Sequence, residues 1–154
     1  MPAAEPAAAP DVTTMSGLAV LEAIARGVLP AAPIAELLGF QLREVEFGRI
    51  VFEGRPAACH YNLHGTVHGG YVATLLDSAM GCAVHSVLEA GVGYATLEIK
   101  VNYVRPLADV TGPVRAEGTL LHRGRRTATS EGRLVDGEGR LLAHGTSTCL
   151  LFPS

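Results

Sequence analysis

Hydrophobic positions along the chain change their period several times, and each change predicts an element. In "SGLAVLEAIARG" (16–27), Leu18, Leu21, Ile24 and Ala25 recur at helical spacing, with Ser16 placed to cap the helix and Gly27 to stop it. Pro30 and Pro33 follow, then a short amphipathic piece, "APIAELLGF". "FQLREVEF" (40–47) alternates in part and predicts a strand; Gly48 and Arg49 turn the chain, and "IVFEGRPA" returns it. The period then becomes helical again: Tyr71/Val72, Leu75/Leu76, Ala79/Met80, Ala83/Val84 and Val87/Leu88 are apolar pairs four apart, one broad face. "GYATLEIKVNYVRP" (93–106) alternates. Thr96, Glu98, Lys100 and Asn102 are expected on one side of it, and Leu97, Ile99, Val101 and Tyr103 on the other. Three more strands are expected in "GPVRAEGTLLHRG", "RTATSEGRLVD" and "RLLAHGTSTCLLF", joined by the turns "HRGR" and "DGEG". The order is a short helical lead, two strands, one long helix and four strands. Short turns between consecutive strands predict an antiparallel sheet, so the class is α+β.

The long helix has a second face. Ala73, Asp77 and Gly81 lie on it, flanked by Thr74, Ser78 and Cys82, and Asp77 is the one charged residue of the stretch. A carboxylate placed there is either satisfied by a partner or used. Gly69 and Gly70 open the helix, where free N–H groups attract an anion or a polarised carbonyl oxygen and no side chain blocks the approach. An acid and an electron-withdrawing helix end are the parts needed to attack an acyl carbonyl. One helix cannot supply both to one carbonyl, because the eight residues from Gly69 to Asp77 span about 12 Å. A neighbouring antiparallel copy can, which asks for a dimer with two sites across its interface. The bland alternatives are an Asp paired with an Arg or lying at the solvent edge, and glycines that only make a turn.

The 154 residues suggest one domain, taken as 16–154, after a loosely docked or disordered tail over 1–15 with three prolines in its first ten residues and no signal-peptide pattern. At 48% hydrophobic and 18% charged, the chain can bury a core without disulfides or metal, and a net charge of −3 gives no broad nucleic-acid face. The longest apolar run is broken by glycine, histidine and Asp77, which argues against a membrane span. Cys59, Cys82 and Cys149 lack any C-x-x-C pattern and read as reduced thiols of a cytoplasmic protein, in the role of small buried hydrophobes.

The stretch "NLHGTVHGGYVATLLDSAMG" followed by "LEIKVNYVRP" resembles the hotdog-fold thioesterases, closest to the PaaI-type acyl-CoA thioesterases, with a likeness running from about Leu37 to Phe152. The resemblance implies a long central helix wrapped by a curved antiparallel sheet, in dimers that commonly double to tetramers. It implies hydrolysis of an aromatic (phenylacetyl-type) or medium-chain acyl-CoA, with no cofactor and no metal. Residue by residue, Asp77 matches the acid that attacks or activates water, and Gly69 the backbone N–H that polarises the thioester carbonyl. His68 matches the histidine that orients the site, Asn62 a residue that contacts substrate or water, and Thr96 a hydroxyl that holds water. Arg105, Gly124, Arg125 and Arg126 are the candidates for the phosphates of coenzyme A, for which guanidinium forks are suited.

Other groupings carry weaker signals. His60, His64 and His68 would stack as metal ligands only on an unbroken helix, and Asn62 and Gly65 favour a loop. "HRGRR" (122–126) alone reads as a solvated turn, and His85 as a satisfied core histidine. Two rival functions remain at this level. One is a hotdog 3-hydroxyacyl or enoyl thioester dehydratase-hydratase, which needs a paired His and acid. The other is a non-catalytic acyl-CoA-binding module.

Overall fold

The computed structural model describes residues 10–154. Ser16 accepts the Ala19 N–H at 3.3 Å and starts α1 (Gly17–Ala25); Gly27, at φ 73°, ends that turn in a conformation that suits glycine. Helix α2 (Pro33–Leu38) begins on proline and stops at Gly39, at φ 71°. Strands β1 (Phe40–Glu46) and β2 (Arg49–Gly54) follow, then the long helix α3 (Gly69–His85). The chain closes with β3 (Val92–Tyr103), β4 (Val114–Arg123), β5 (Thr127–Val135) and β6 (Leu141–Pro153). Of the expected tail, residues 1–9 lie outside the described part, and Val12–Thr14 form a short 3-10 turn capped by Asp11.

All six strands form one antiparallel sheet in the order β1-β2-β4-β5-β6-β3. The sheet wraps α3, which packs on β2, β3, β4, β5 and β6, so the hotdog arrangement and the α+β class expected above are what the chain adopts. Chain neighbours are not all sheet neighbours: β3 leaves β4 and runs along β6 at the far edge. Helix α3 carries the chain across the sheet, and residues 104–113 carry it back.

The apolar pairs of α3 go where their period sends them, with Leu75, Leu76, Ala79, Met80, Ala83 and Val84 fully buried. Gly118, Gly132 and Gly145 stand in register on β4, β5 and β6 and form a side-chain-free row. A Cβ on Gly118 would run into the Ala79 carbonyl, and one on Gly132 would sit 2.9 Å from Met80, so these two glycines let the helix lie directly on the sheet, while a Cβ on Gly145 would meet the Lys100 carbonyl of β3. The helix stops at His85 and not at Leu88. Ser86 donates to the Ala83 carbonyl at 2.7 Å and accepts the Gly48 N–H at 2.8 Å, which ties the helix end to the β1–β2 turn. Val87 and Leu88 are buried all the same, in a second small core with Ala128, Cys149 and Leu151.

Strand β3 departs from simple alternation. Its pairing with β6 slips between Thr96 and Glu98, leaving Leu97 as an extra, bulged residue. Beyond the bulge, Ile99 and Val101 point into the core as expected. Before it the phase is reversed: Thr96 and Tyr94 face α3, while Ala95 and Leu97 are exposed. The expected grouping of Thr96 with Glu98, Lys100 and Asn102 is therefore corrected, because one inserted residue turns the strand by half a period.

Candidate active site

Three pieces of chain build the site: the loop before α3, the small-residue face of α3, and β3. Val67 and His68 lead into the helix. The imidazole of His68 accepts the Gly70 N–H through Nδ1 at 2.8 Å, so His68 is the helix cap. The Gly69 N–H has no acceptor among the described residues. Gly69 is held from the other side by Tyr103, whose hydroxyl donates to the Gly69 carbonyl at 2.9 Å and whose ring would lie 3.1 Å from a Cβ. Gly69 lines a groove of about 360 Å³ with Val72, Tyr103, Arg105 and Leu107. A free donor, a missing side chain and a positive helix end are the features that an oxyanion seat requires. Tyr103 was not singled out from the sequence; its place at the end of a strand read as core-facing carried no signal that the ring would reach a helix start.

Asn62 organises the preceding loop. Its side chain accepts the His64 N–H at 2.8 Å and the Thr66 N–H at 3.3 Å, and donates to the Thr66 hydroxyl at 3.1 Å. The three histidines diverge. His60 stacks on Tyr71 with ring centroids 4.3 Å apart, His64 is exposed, and His68 caps α3.

Two turns along α3, the Asp77 carboxylate is partly exposed and accepts the Thr96 hydroxyl through Oδ1 at 3.0 Å. Its Oδ2 takes no hydrogen bond among the described residues. No arginine pairs with it there, so the ion-pair alternative falls. The bulge at Leu97 is what delivers Thr96 to Asp77. Beside them, the Tyr94 ring covers Gly81, 3.0 Å from where a Cβ would be. The Cys82 thiol lies beside them; burial first, and then the Asp77 charge, push it up to about 12. It is a neutral packing group and no nucleophile. Cys149 is buried as expected, whereas Cys59 is exposed, on a short 3-10 turn that packs no core.

His85 corrects another expectation. It is half-buried, and its Nδ1 has no partner among the described residues, so it is no satisfied core histidine there; burial holds it below its ordinary value. His68 and Asp77 of one chain do not form the His–acid pair of a dehydratase, being nine residues apart on or beside one helix.

The phosphate candidates fall at two ends of the sheet. Arg105 follows β3 on the Gly69 side, where its guanidinium donates to the Leu141 carbonyl. Gly124, Arg125 and Arg126 form the β4–β5 turn at the other end, both arginines exposed, while neighbouring Arg123 is engaged by Glu89 at 2.8 Å. Arg105 lies against Leu142 and the turn against Leu150 and Leu151, so about 26 Å of β6 separates them in one chain.

Comparison with known proteins adds the following. The family model described as "Thioesterase superfamily" matches residues 64–143, just over half of the chain. The TT0310 protein of Thermus thermophilus is 36% identical with a TM-score of 0.70, covering 78% of this chain and 97% of that one. A mutant of the phenylacetic acid degradation protein PaaI from the same organism is 35% identical with a TM-score of 0.70, covering 77% and 98%. A provisionally named esterase of Saccharolobus solfataricus is 29% identical over 111 residues, 72% of this chain and 77% of that one.

Proposed function

Because this chain belongs to the thioesterase superfamily, as a PaaI-type thioester hydrolase of the hotdog fold, we propose that it hydrolyses an acyl-CoA, aromatic or of medium chain length, to the free acid and coenzyme A. The observation that carries the reading is the pairing of an acid with no cationic partner, Asp77 held by Thr96, with a helix start, Gly69, whose N–H is free.

In this reading two protomers pool their parts. The Gly69 N–H of one protomer holds the thioester oxygen, which draws electrons from the carbonyl carbon. Asp77 of its partner attacks that carbon or takes the proton of a water that does. The tetrahedral oxyanion collapses, the C–S bond breaks and the thiolate of coenzyme A leaves. With water as the attacker the free acid forms directly and the proton taken by Asp77 passes to the thiolate or solvent; with Asp77 as the attacker a mixed anhydride is left on Asp77, which a water then hydrolyses to the free acid while the thiolate takes its proton from solvent. The Thr96 hydroxyl fixes the rotamer of Asp77 through Oδ1 and leaves Oδ2 for the reaction. His68 caps the helix that aims Gly69, and Asn62 holds the loop in front of it. The same two-fold relation brings Arg105, beside Gly69, toward the partner's Gly124–Arg126 turn, where the phosphates of coenzyme A would lie. A dimer, or a tetramer of two such dimers, is thus part of the proposal. We place the protein in the cytoplasm, which suits three unpaired thiols.

The test is thiol release from a panel of aromatic and aliphatic acyl-CoAs. Asp77→Ala is expected to lower kcat by about 10²–10⁴ while the thermal transition is retained. An Asp77→Ala enzyme that kept most of the wild-type rate would falsify the mechanism.

A further inference from the structure

Next to the Asp77 carboxylate lies a cavity of about 250 Å³ whose far wall is made by the N-terminal helices. Leu21 and Ile24 of α1 and Ile34 and Ala35 of α2 face it, with Phe40 and Phe52 behind them. Asp77, Thr96 and Ser78 line one side, with the Tyr94 and Cys82 pair beside them, so the cavity is apolar except where it meets the reacting groups. The two phenylalanines meet edge to face, with ring centroids 5.5 Å apart. None of the α1–α2 residues falls within residues 64–143, the span matched by the family model.

We propose that this cavity receives the acyl tail of the thioester and that Ile24 and Ile34 set the length of tail it accepts. The proposal rests on the thioesterase reading and extends it to specificity. A carbonyl placed at Asp77 has its coenzyme A side toward the partner protomer, and the acyl side is left to enter the space between α3 and the α1–α2 segment. That space desolvates an apolar chain, and its side chains are apolar away from the Asp77 side. Leu21, Ala35 and Phe40 are each under 5% exposed and form a fixed floor. Ile34 is 49% exposed and, with the partly buried Ile24, forms a yielding rim. At about 30 Å³ per water-sized group, the cavity holds on the order of eight, the bulk of a hexanoyl, octanoyl or phenylacetyl tail and far less than a palmitoyl chain. The α1–α2 segment therefore acts as this chain's gauge for substrate size.

The experiment compares kcat/KM for acetyl-, hexanoyl-, octanoyl-, phenylacetyl- and palmitoyl-CoA, read by thiol release, in the wild type and in Ile24→Trp, Ile34→Trp and Ile34→Ala. Affinity for the thioethers S-ethyl-CoA and S-hexyl-CoA is measured alongside by calorimetry. Either Trp variant is expected to lower the hexanoyl-to-acetyl ratio about tenfold or more, and Ile34→Ala to move the optimum toward longer tails. Ratios unchanged in Trp variants that melt like the wild type overturn the gauge and leave the thioesterase reading standing. If the wild type releases no thiol from any ester, that reading fails and the thioethers decide. A preference for S-hexyl-CoA that is lost in the Trp variants upholds the cavity, and equal affinities overturn it. Ile34 is half exposed, so its variants keep the comparison available should Ile24→Trp fail to fold.

Discussion

Asp77 stands among Ala73, Ser78 and Gly81 on α3, and among the described residues the one side chain bonded to its carboxylate comes from nineteen positions away, Thr96. A hydroxyl that donates to a carboxylate fixes its rotamer and steadies its charge, and here it leaves the second oxygen free, as the proposed reaction requires. Thr96→Val keeps the shape and removes the donor. It is expected to lower kcat by about three- to tenfold, less than a fully buried charged hydrogen bond would, because solvent reaches the pair. Thr96→Ser is expected to restore most of the rate. Both are read by thiol release, and a Thr96→Val enzyme with wild-type kcat would remove Thr96 from the site. Asp77 and Gly69 were legible in the sequence because each is anomalous where it stands, a charge in an apolar helix and paired glycines at a helix start. Tyr103 was not legible, since an aromatic residue in an alternating strand has an ordinary packing explanation.

At the scale of elements, the seating of α3 on the sheet decides where the site can be. The in-register glycines Gly118 of β4 and Gly132 of β5 take the helix to the sheet surface, and a side chain on either meets α3. Gly118→Ala places a Cβ against the Ala79 carbonyl, which is backbone and cannot swing away, and is expected to cost about 3 kcal/mol or more. Gly27→Ala, in open space but at φ 73°, is expected to cost only the strain of a left-handed residue, about 1–2 kcal/mol. Urea unfolding of the two variants checks the order, and equal losses would mean that the glycine row is not what seats the helix. The bulge in β3 is the other decisive element. Period-2 reasoning over 93–106 has no means of finding it, because the extra residue is defined only by what lies opposite on β6.

For the molecule as a whole, acid sensitivity follows from His85, which faces Tyr94 with ring centroids 5.5 Å apart and whose buried Nδ1 lacks a partner among the described residues. Burial lowers its affinity for a proton in the folded state. The unfolded chain then binds the proton at higher pH than the native one, so the contribution of neutral His85 is complete above the ordinary value of 6.5 and declines as pH falls from there toward the folded value. The melting temperature is expected to drop between pH 7 and pH 5 by more in the wild type than in His85→Phe, and parallel curves would count against it. The sequence by itself determined the run of elements, the apolar face of α3, the antiparallel class and the acid-plus-glycine pair, because these depend on local period and on residues unusual for their setting. The tertiary structure alone decided that β3 lies beside β6, that Thr96 turns inward to Asp77, and that α1 and α2 wall a cavity at the carboxylate. Each of these joins residues far apart in the chain, where the outcome is set by register and packing against a partner element, and no local pattern encodes that.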